Sequence, residues 1–502
     1  MNATQFHPFS PACLHQLIET QAECSPSTVA IVDEIQQITY EQLNQQANQL
    51  ARALQHFGVQ AGDRVALCLE RSATVIIAIL ATLKTGAAYI PLDTEYPKER
   101  LHFMLRDAQV KLLITQEKIL KNLQFSDIST LAIDSAWQAQ ISDRDTTNLN
   151  LPCESTQLAY ILYTSGTTGQ PKGVCCHHRG VVNLLADFTR RQPIETKYNC
   201  ALWTALSFDV SVYEIFSALT AGATLHLVPS EIRSDTDKLI NWLAKKQIHS
   251  VYLPPFVLPA LLEQPAISLK RLLVGVEPIP KKRLIQLARK NPQLKIINGY
   301  GPTETTICAT LYSIIDEMTE NNENAPIGQA VQNMLLYLLD EKRQLVAEGE
   351  IGELYIAGVG VATGYWQHDD LTNEKFIPNP FISSEIEFEH SRLYRTGDLV
   401  RYLPDGNLYF VGRADYQLKL RGFRIEPGEI ETQLRNFPTV QDALVLAHAE
   451  QLIAYLIIDI DAAQHDELTK QIQQFLQQRL PSYMLPCRNT YFRQFSSNHS
   501  KR

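Results

Sequence analysis

The chain has 502 residues and a net charge of −9, and 45% of its residues are hydrophobic. That length is too great for one hydrophobic core and predicts two or three domains. The acidic balance argues against bulk attraction to nucleic acid or an anionic membrane. No apolar run approaches the roughly 20 residues that span a bilayer, so we expect a cytoplasmic protein. Its nine scattered cysteines are typical of reduced thiols, not of a disulfide framework.

The first third of the chain alternates between helix and strand patterns. Thr39 is predicted to cap a helix, with Gln42 as its reciprocal partner. The next segments predict a buried strand over 64–70, an apolar helix over 72–83 and a strand over 89–92. This spacing predicts a layered α/β core with parallel pairing. Further strands of the same kind are predicted at 223–228, 249–253, 272–274 and 296–298.

Short strands dominate the pattern after about residue 330. They are predicted at 355–357, 399–403 and 408–411, and Pro404–Asn407 between the last two is typical of a hairpin turn. A compact tail then begins at Asp415, close to the expected main boundary. In it we expect helices and strands in mixed order, with helices at 426–437 and 467–480 and strands at 443–447 and 452–458.

These patterns together predict an α/β fold of two parts. The first is a large N-terminal domain over 1–414, built of layered α/β subdomains with a β-rich subdomain from about 330 to 414. The second is a small, mobile α+β C-terminal domain over 415–502. No internal repeat and no long linker rich in Gly, Pro or Ser interrupts the pattern.

A loop rich in small hydroxyl residues and glycine follows the apolar run 158–162. Backbone N–H groups and hydroxyls in such a loop can surround a polyphosphate, and a lysine adds positive charge. It is not the common P-loop, because Lys172 is followed by Gly173 and not by Ser or Thr. A polar surface loop is the alternative interpretation. The candidate phosphate-binding residues are Thr164, Ser165, Gly166, Thr167, Thr168 and Lys172.

Two other strings look like functional motifs but are interpreted otherwise. Gly358–Gly364 nearly spells a dinucleotide-binding fingerprint, but its third glycine is one residue late, so we interpret it as tight turns. Cys175–His178 suggests a metal cluster, but it lacks the paired CxxC spacing of zinc sites. Neither string is therefore expected to bind a ligand.

Seven strings in a fixed order carry a resemblance to a known family. The chain, from about Ile38 onward, closely resembles the adenylate-forming enzymes, and within them the amino-acid adenylation domains of nonribosomal peptide synthetases. One such string alone is weak, whereas seven in order are very specific. The strings are 83–93, the loop 163–173, 208–214, 298–304, 352–354, 394–399 and 412–415.

The resemblance implies a ligase that uses ATP and Mg²⁺ and forms AMP. A carboxylate attacks the α-phosphorus of ATP, pyrophosphate leaves, and the acyl group then passes to a thiol. The loop 163–173 would hold the β- and γ-phosphates, Thr303 would contact the α-phosphate, and Glu304 would coordinate Mg²⁺. Tyr300, beside Gly299, would stack on adenine, while Asp398 would accept hydrogen bonds from the ribose hydroxyls and Arg413 would reach the ribose.

The resemblance also assigns parts to the C-terminal tail. Asp415 would be the hinge about which the small domain turns between adenylation and thiol transfer, and Gly422 would line the tunnel for the thiol arm. An ion pair with Arg413 or Lys419 is the alternative role of Asp415. The thiol would belong to phosphopantetheine on a peptidyl carrier protein or domain, because the chain lacks the carrier signature.

Asp209 indicates the substrate class, since in the amino-acid branch of the family this position pairs with the substrate's α-ammonium group. The residues that select the side chain are, by resemblance, Val210, Tyr213, Tyr252, Leu273, Gly275, Gly299, Ile307 and Cys308. None is charged, so an apolar side chain is expected. The two tyrosines favour Val, Ile or Leu. Space left by the two glycines keeps Phe or Tyr open, and stacking on the tyrosines keeps Arg open.

The chain departs from the family pattern at its end. The usual Pro-Leu pair and glycine are absent there, and Lys501, the next-to-last residue, is the one candidate for the catalytic lysine. Three interpretations follow from these observations. The first is an amino-acid-activating enzyme. The second is an acyl- or aryl-CoA synthetase-like ligase, against which Asp209 argues. The third is a catalytically impaired scaffold that binds adenylate.

Overall fold

The computed structural model describes most of the chain, which folds as two compact units. The first unit is formed by residues 1–94, 109–162 and 174–414, and the second by residues 95–108, 163–173 and 415–502. The second unit thus includes the loop 163–173 together with the tail. The described residues are 7–123, 128–134, 137, 141–166, 169–264, 268–314, 323–382, 391–420, 422–448, 451–458 and 465–492.

The strands up to residue 330 form two sheets. In chain order they are β1 (Val29–Val32), β2 (Gln37–Thr39), β3 (Arg64–Leu67), β4 (Ala88–Pro91), β5 (Leu112–Thr115), β6 (Thr130–Ala132), β7 (Leu158–Thr164), β8 (Lys172–His177), β9 (Asn199–Leu202), β10 (Thr224–Leu227), β11 (Ser250–Tyr252), β12 (Arg271–Gly275), β13 (Lys295–Tyr300), β14 (Thr310–Ile314) and β15 (Gln329–Ala330). The six-stranded sheet has the order β6-β5-β3-β4-β7-β8, and the nine-stranded sheet has the order β15-β14-β13-β12-β11-β9-β10-β1-β2.

Parallel pairing fills the middle of the nine-stranded sheet, while both of its edges are antiparallel. Buried parallel strands need a connection that returns over the sheet, and helices supply most of these connections. The helices over this part of the chain are α1 (Leu14–Cys24), α2 (Tyr40–His56), α3 (Ala73–Lys84), α4 (Lys98–Asp107), α5 (Glu117–Leu123), α6 (His178–Arg191), α7 (Val210–Thr220), α8 (Thr236–Lys245), α9 (Leu258–Glu263) and α10 (Lys281–Lys290).

Local sequence explains where the early elements begin. The Thr39 hydroxyl accepts the Gln42 N–H, and the Gln42 side chain accepts the Thr39 N–H, so the predicted reciprocal cap of α2 is confirmed. Apolar residues occupy nearly all of α3, which is buried from Val75 to Lys84 and packs against α2. The strand predicted over 64–70 ends at Leu67, since the chain turns there toward α3.

A separate antiparallel sheet follows in the first unit, as the short-strand pattern predicts. Strands β18, β19, β17 and β16 lie side by side in that order, and β20 pairs with β19 through the predicted hairpin at 404–407. The elements are β16 (Met334–Leu339), β17 (Gly352–Gly358), α11 (Asp369–Lys375), β18 (Phe376–Pro378), β19 (Arg392–Tyr402) and β20 (Leu408–Arg413).

The second unit has its own apolar core. Two helices cover a three-stranded sheet of order β23-β24-β25, and a small hairpin, β21 with β22, precedes them. The elements after residue 415 are β21 (Leu418–Leu420), β22 (Phe423–Ile425), α12 (Pro427–Arg435), β23 (Val440–His448), β24 (Gln451–Ile458), α13 (His465–Gln477) and β25 (Arg488–Phe492). The predicted division into domains 1–414 and 415–502 remains a prediction.

The expectation that all cysteines are reduced thiols is wrong for one pair. Cys13 and Cys153, separated by 140 residues in sequence, form a disulfide. Their spacing gives no sign of the pairing, because only the packing of α1 brings Cys13 close to the segment before β7. Within the described ranges, no helix combines the length and apolar composition that crossing a bilayer requires.

Candidate active site

Asp398 lies between two of the other residues that are predicted to bind the nucleotide, Tyr300 and Arg413. It lies on β19 opposite Arg413 on β20, whose Nη1 is 2.6 Å from one carboxylate oxygen. The Tyr300 hydroxyl, at the end of β13, lies 2.5 Å from the other oxygen. Burial, followed by the Asp398 charge, raises the pKa of Tyr300 well above its ordinary value, so the phenol donates. A carboxylate offers about four acceptor positions, so Asp398 retains capacity for a ribose diol.

One helical turn after β13, Thr303–Thr305, positions the next two predicted residues. Glu304 is fully buried and accepts a 2.8 Å hydrogen bond from the Tyr365 hydroxyl. Its backbone carbonyl accepts the Ala362 N–H, so both ends of the residue are held. Carboxylate oxygens are ligands that Mg²⁺ prefers, and Glu304 therefore fits the role expected of it.

Thr303 contacts the predicted amino-acid end of the site. Its hydroxyl donates a 2.8 Å hydrogen bond to Asp209 Oδ2. Asp209 occupies the cap position of α7, but its side chain makes no capping bond to that helix. The Asp209 carboxylate is thus oriented by the Thr303 hydroxyl. Asp209 and Thr303 are brought together although 94 residues separate them in sequence.

The eight residues predicted to select the side chain lie on α7, on the adjacent strands β11, β12 and β13, and in the segment that follows β13. All of them are buried, and none is charged. Tyr213 is held on both sides: its ring lies 4.5 Å from the Phe188 ring, and its hydroxyl accepts from Arg271 at 3.2 Å. Tyr252 lies 6.2 Å from the Trp203 ring. Neighbouring side chains thus hold both tyrosine rings in place: Phe188 and Arg271 contact Tyr213, and Trp203 lies beside Tyr252.

The expectation that Gly275 and Gly299 leave space in the pocket is wrong. A Cβ on Gly275 would lie 2.1 Å from the Gly299 carbonyl oxygen, so Gly275 is required for the close approach of β12 to β13. A Cβ on Gly299 would lie 2.8 Å from Cys308 Sγ and 3.2 Å from Leu273 Cδ1. Side chains and backbone already fill these positions, so neither glycine deepens the pocket.

The sequence reasoning missed three residues that support predicted site residues. Arg271 holds the Tyr213 hydroxyl and is buried. Glu214, also buried, accepts the backbone N–H groups of Trp203 and Thr204 at 3.1 and 2.9 Å. Tyr365 holds Glu304. Arg271 and Glu214 could have been found from the sequence, because each is a charged residue within an apolar segment. The sequence around Tyr365 contains no comparable signal.

The loop 163–173 belongs to the second unit, where the N-terminal half of α12 lies against it. The Gly166 N–H donates to Glu429 Oε2 at 3.2 Å, and the Ser165 hydroxyl donates to the Arg424 carbonyl at 3.0 Å. The Gly166 amide thus already binds a carboxylate of its own unit, and the phosphate-binding role of the loop stays a prediction. The buried Thr164 hydroxyl has no hydrogen-bond partner among the described residues, and a phosphate oxygen fits that position.

Glu429 is itself neutralised in the second unit by Arg100. Arg100 Nη1 lies 2.5 Å from Glu429 Oε1, and both side chains are buried. Burial, the largest single effect, lowers the pKa of Arg100, but the Glu429 carboxylate together with Tyr483 and Tyr96 raises that pKa above its ordinary value. The loop is also closely packed at Gly169, where a Cβ would lie 2.6 Å from Thr432.

The remaining predicted residues divide into two groups. Lys172 is buried, Asp415 accepts the Gln417 N–H at 3.2 Å, and Gly422 has a positive φ of 84° with open space around its Cα. Thr167, Thr168 and Lys501 lie outside the described residues.

The Cys175–His178 string has protein partners, with His177 bonded to the Val361 carbonyl and His178 accepting the Leu14 N–H.

Comparison with known proteins decides the family. The sequence model for AMP-binding enzymes matches residues 18–366. The chain belongs to the family of AMP-binding enzymes. Tyrocidine synthase 1 of Brevibacillus parabrevis is 39% identical over 475 residues, which cover 94% of this chain and 42% of that protein. Gramicidin S synthase 1 of Brevibacillus brevis is 39% identical over 477 residues, covering 94% of this chain and 42% of that protein.

Solved structures give the same result for the fold. An artificially fused adenylation–PCP di-domain, NpsA-ThdA of Klebsiella oxytoca, superposes with a TM-score of 0.83 at 26% identity, covering 96% of this chain and 94% of that chain. A holo protein with adenylation and PCP domains, bound to a vinylsulfonamide inhibitor, also gives 0.83 at 26% identity, covering 98% and 83%.

These comparisons confirm three predictions for this AMP-binding enzyme. They are the resemblance to adenylation domains of nonribosomal peptide synthetases, the α/β fold class, and the enzyme class of an AMP-forming ligase. The chain spans less than half the length of the two synthases that it matches. The substrate and the individual site residues remain predictions.

Proposed function

We propose that this AMP-binding enzyme activates an α-amino acid with an apolar side chain. It would use ATP to form the aminoacyl-adenylate, release pyrophosphate, and then transfer the aminoacyl group to the phosphopantetheine thiol of a peptidyl carrier protein or domain. The observation that carries this proposal is the Asp209 carboxylate, oriented by Thr303 at the start of the helix that contributes Val210 and Tyr213 to an uncharged pocket.

The residues around Asp209 would select the substrate in two ways: by pairing with its α-ammonium group and by rejecting charged side chains. Asp209 would pair with the α-ammonium group, and a substrate that lacks this group would leave the carboxylate without its cation. The uncharged walls would make a charged side chain costly to bury. Because Cys308 and the Gly299 carbonyl fill the space beside the two glycines, a short aliphatic side chain fits better than an aromatic one.

The groups that surround the nucleotide would stabilise the transfer of the adenylyl group to the substrate. An oxygen of the substrate carboxylate forms a bond to the α-phosphorus, and the bond from that phosphorus to the oxygen bridging to the β-phosphate breaks. The loop amides and Lys172 would hold the leaving pyrophosphate, and Thr303 would lie at the α-phosphate. Mg²⁺, when bound by Glu304, supplies positive charge to the phosphate oxygens. Asp398 and Arg413 would hold the ribose, with Tyr300 on adenine.

The thiol-transfer step would use the tail. We assign residues 415–502 as a domain that moves about Asp415, with Gly422 on the path of the phosphopantetheine arm, and Lys501 as the lysine of the adenylation step. A Lys501→Ala variant should slow adenylate formation by roughly 10²–10³-fold and thiol transfer far less. Equal slowing of both half-reactions would contradict this role. The need for ATP and a carrier protein favours a cytoplasmic location.

An ATP–pyrophosphate exchange screen tests the proposal. The purified chain is assayed with the twenty proteinogenic amino acids, their des-amino analogues where these are stable, and a set of aryl and fatty acids. Exchange with one or a few aliphatic amino acids, and none with their des-amino analogues, is the expected result. Exchange with aryl or fatty acids alone would indicate an acyl- or aryl-CoA synthetase. Tight ATP binding without exchange would indicate a scaffold.

A further inference from the structure

A cluster of two sulfurs and an imidazole lies outside the residues assigned to catalysis. Cys13 caps α1 and is fully buried, and its disulfide partner Cys153 lies in the segment before β7, with the two Cα atoms 6.6 Å apart. His178, the first residue of α6, places a ring nitrogen within 4.8 Å of both sulfurs. All three residues belong to the first unit.

The disulfide fixes the beginning of a helix that packs behind the amino-acid pocket. The buried face of α1, formed by Leu14 and Ile18, lies in the same apolar core as Val210 and Tyr213. Helix α1 contacts α7 directly, and α7 carries both pocket residues. The link is further supported by the Leu14 N–H, which donates to His178 Nδ1 at 3.2 Å.

We propose that Cys13 and Cys153 form a redox-reversible crosslink that holds α1 against the helix lining the amino-acid pocket. In the described chain, Cys153 is the partly exposed member of the pair and Cys13 the buried one. An external thiol or disulfide therefore reaches Cys153 first. Cys13 then reacts with the Cys153 sulfur from the buried side.

The chemistry balances with a low-molecular-weight disulfide of the glutathione class as oxidant. The Cys153 thiolate attacks it, forming a mixed disulfide and releasing one small thiolate. The Cys13 thiolate then attacks the Cys153 sulfur, forming the protein disulfide and releasing the second small thiolate. The protein loses two electrons and two protons, and the small disulfide gains them as two thiols. Excess small thiol reverses both steps.

A zinc site is the other chemistry that these ligand types allow, but the geometry favours the crosslink. The His178 Nδ1 lone pair already accepts the Leu14 N–H. A structural zinc site is tetrahedral and needs four ligands, and the group of possible ligands in the described part of the chain has three. Because the sulfurs are joined to each other, they are also unavailable as separate thiolates.

The first test equilibrates the full chain in buffers of defined oxidised-to-reduced glutathione ratio. Alkylation with iodoacetamide and peptide mass spectrometry then report each cysteine. Cys13 and Cys153 should lose alkylation together at one ratio and appear as a linked peptide pair. Cys24, exposed at the end of the same helix, and Cys487, exposed in the second unit, are internal controls that should never form that link. Absence of the linked pair at every ratio would overturn the proposal, as would stoichiometric zinc that protects both thiols.

The second test measures how much the crosslink stabilises the folded chain. The oxidised chain should melt roughly 5–10 °C higher than the reduced chain, because the link closes a long loop of the unfolded state. Cys153→Ser should abolish this difference and Cys24→Ser should keep it; equal melting temperatures of the oxidised and reduced wild-type chain would refute the structural role.

A kinetic test rests on the proposed function: reduction should raise the KM for the amino acid several-fold and leave the KM for ATP unchanged. If no substrate is found, the alkylation and melting results still decide the crosslink.

Discussion

The hydroxyl of Thr303 donates a 2.8 Å hydrogen bond to the carboxylate of Asp209. This bond joins the turn after β13 to the beginning of α7 within the first unit. In the proposed function, Asp209 pairs with the amino group of the substrate and Thr303 lies at the α-phosphate. One hydroxyl thus links the group that recognises the amine to the group at the reacting phosphorus, and a change in either should be felt by both substrates.

Thr303→Val tests this coupling. Valine keeps the shape of threonine but cannot donate, and a hydrogen bond to a charged group contributes about 1.5–3 kcal/mol. We expect kcat/KM for the amino acid to fall roughly 10–100-fold in the exchange assay, with a smaller rise in the KM for ATP. Thr303→Ser keeps the hydroxyl and should retain most activity. A valine variant that affected ATP alone would show that the bond to Asp209 does not matter for the amine.

Cys308 should limit the size of the accepted side chain, because its sulfur fills the position beside Gly299. Cys308→Ala removes that sulfur, and one missing heavy group in an apolar pocket changes discrimination by roughly 10–200-fold. We expect the ratio of kcat/KM for Phe to that for Val to rise in the exchange screen. Cys68→Ala, at a buried cysteine outside the pocket, is the matched control and should leave the ratio unchanged. An unchanged ratio in the Cys308 variant would place the size limit elsewhere.

Sequence patterns predicted local features well and distant pairings poorly. The cap formed by Thr39 and Gln42 depends on neighbours three residues apart, so the sequence contains the whole interaction. The pairing of β1 with β10 depends on the path of the whole intervening chain, and no local pattern specifies it. The ordered motifs indicated Asp398 and Glu304 because each stands within a recognisable string.

The supporting residues escaped prediction for the same physical reason. Arg271 reaches the Tyr213 hydroxyl from another element, and Glu429 reaches the Gly166 N–H across more than 200 positions of sequence. The disulfide between Cys13 and Cys153 is also a product of tertiary packing. The error about Gly275 has a related cause: absence of a side chain was taken as empty space, whereas a neighbouring strand uses that space.

The buried pair of Arg100 and Glu429 should matter for the stability of the second unit. Glu429→Ala leaves the Arg100 charge buried without its partner, and removing one member of such a pair costs about 3–5 kcal/mol. Urea unfolding of the full chain should show the loss in the transition of this unit. The double variant Arg100→Met with Glu429→Leu should lose less than the single one. Glu70→Ala breaks an ion pair with Lys118 that is exposed at both ends and should have no measurable effect. A single variant as stable as wild type would mean that Arg100 finds water or another anion.

Glu214 should give the stability of the first unit a specific pH dependence. Burial raises the pKa of this carboxyl from 4.5 to about 7, even though the N–H groups of Trp203 and Thr204 oppose the shift. A raised carboxyl pKa means that the folded state holds a proton which the unfolded state has already lost. The stabilising contribution is therefore complete below pH 4.5 and is lost as the pH rises through 7, a change of roughly 3 kcal/mol.

Glu214→Gln removes this titration while its amide oxygen can still accept one of the two N–H groups. The difference in unfolding free energy, wild type minus variant, should therefore fall between pH 4.5 and 7 and stay constant above that range. The buried histidines, whose pKa values are lowered, act in the opposite direction, but they are present in both proteins and cancel in the difference. Glu231→Gln changes an exposed glutamate and should run parallel to wild type. Urea unfolding at five pH values is sufficient to measure this difference. If the unfolding free energies of wild type and Glu214→Gln changed in parallel with pH, Glu214 would be ionised in the folded protein across the whole range.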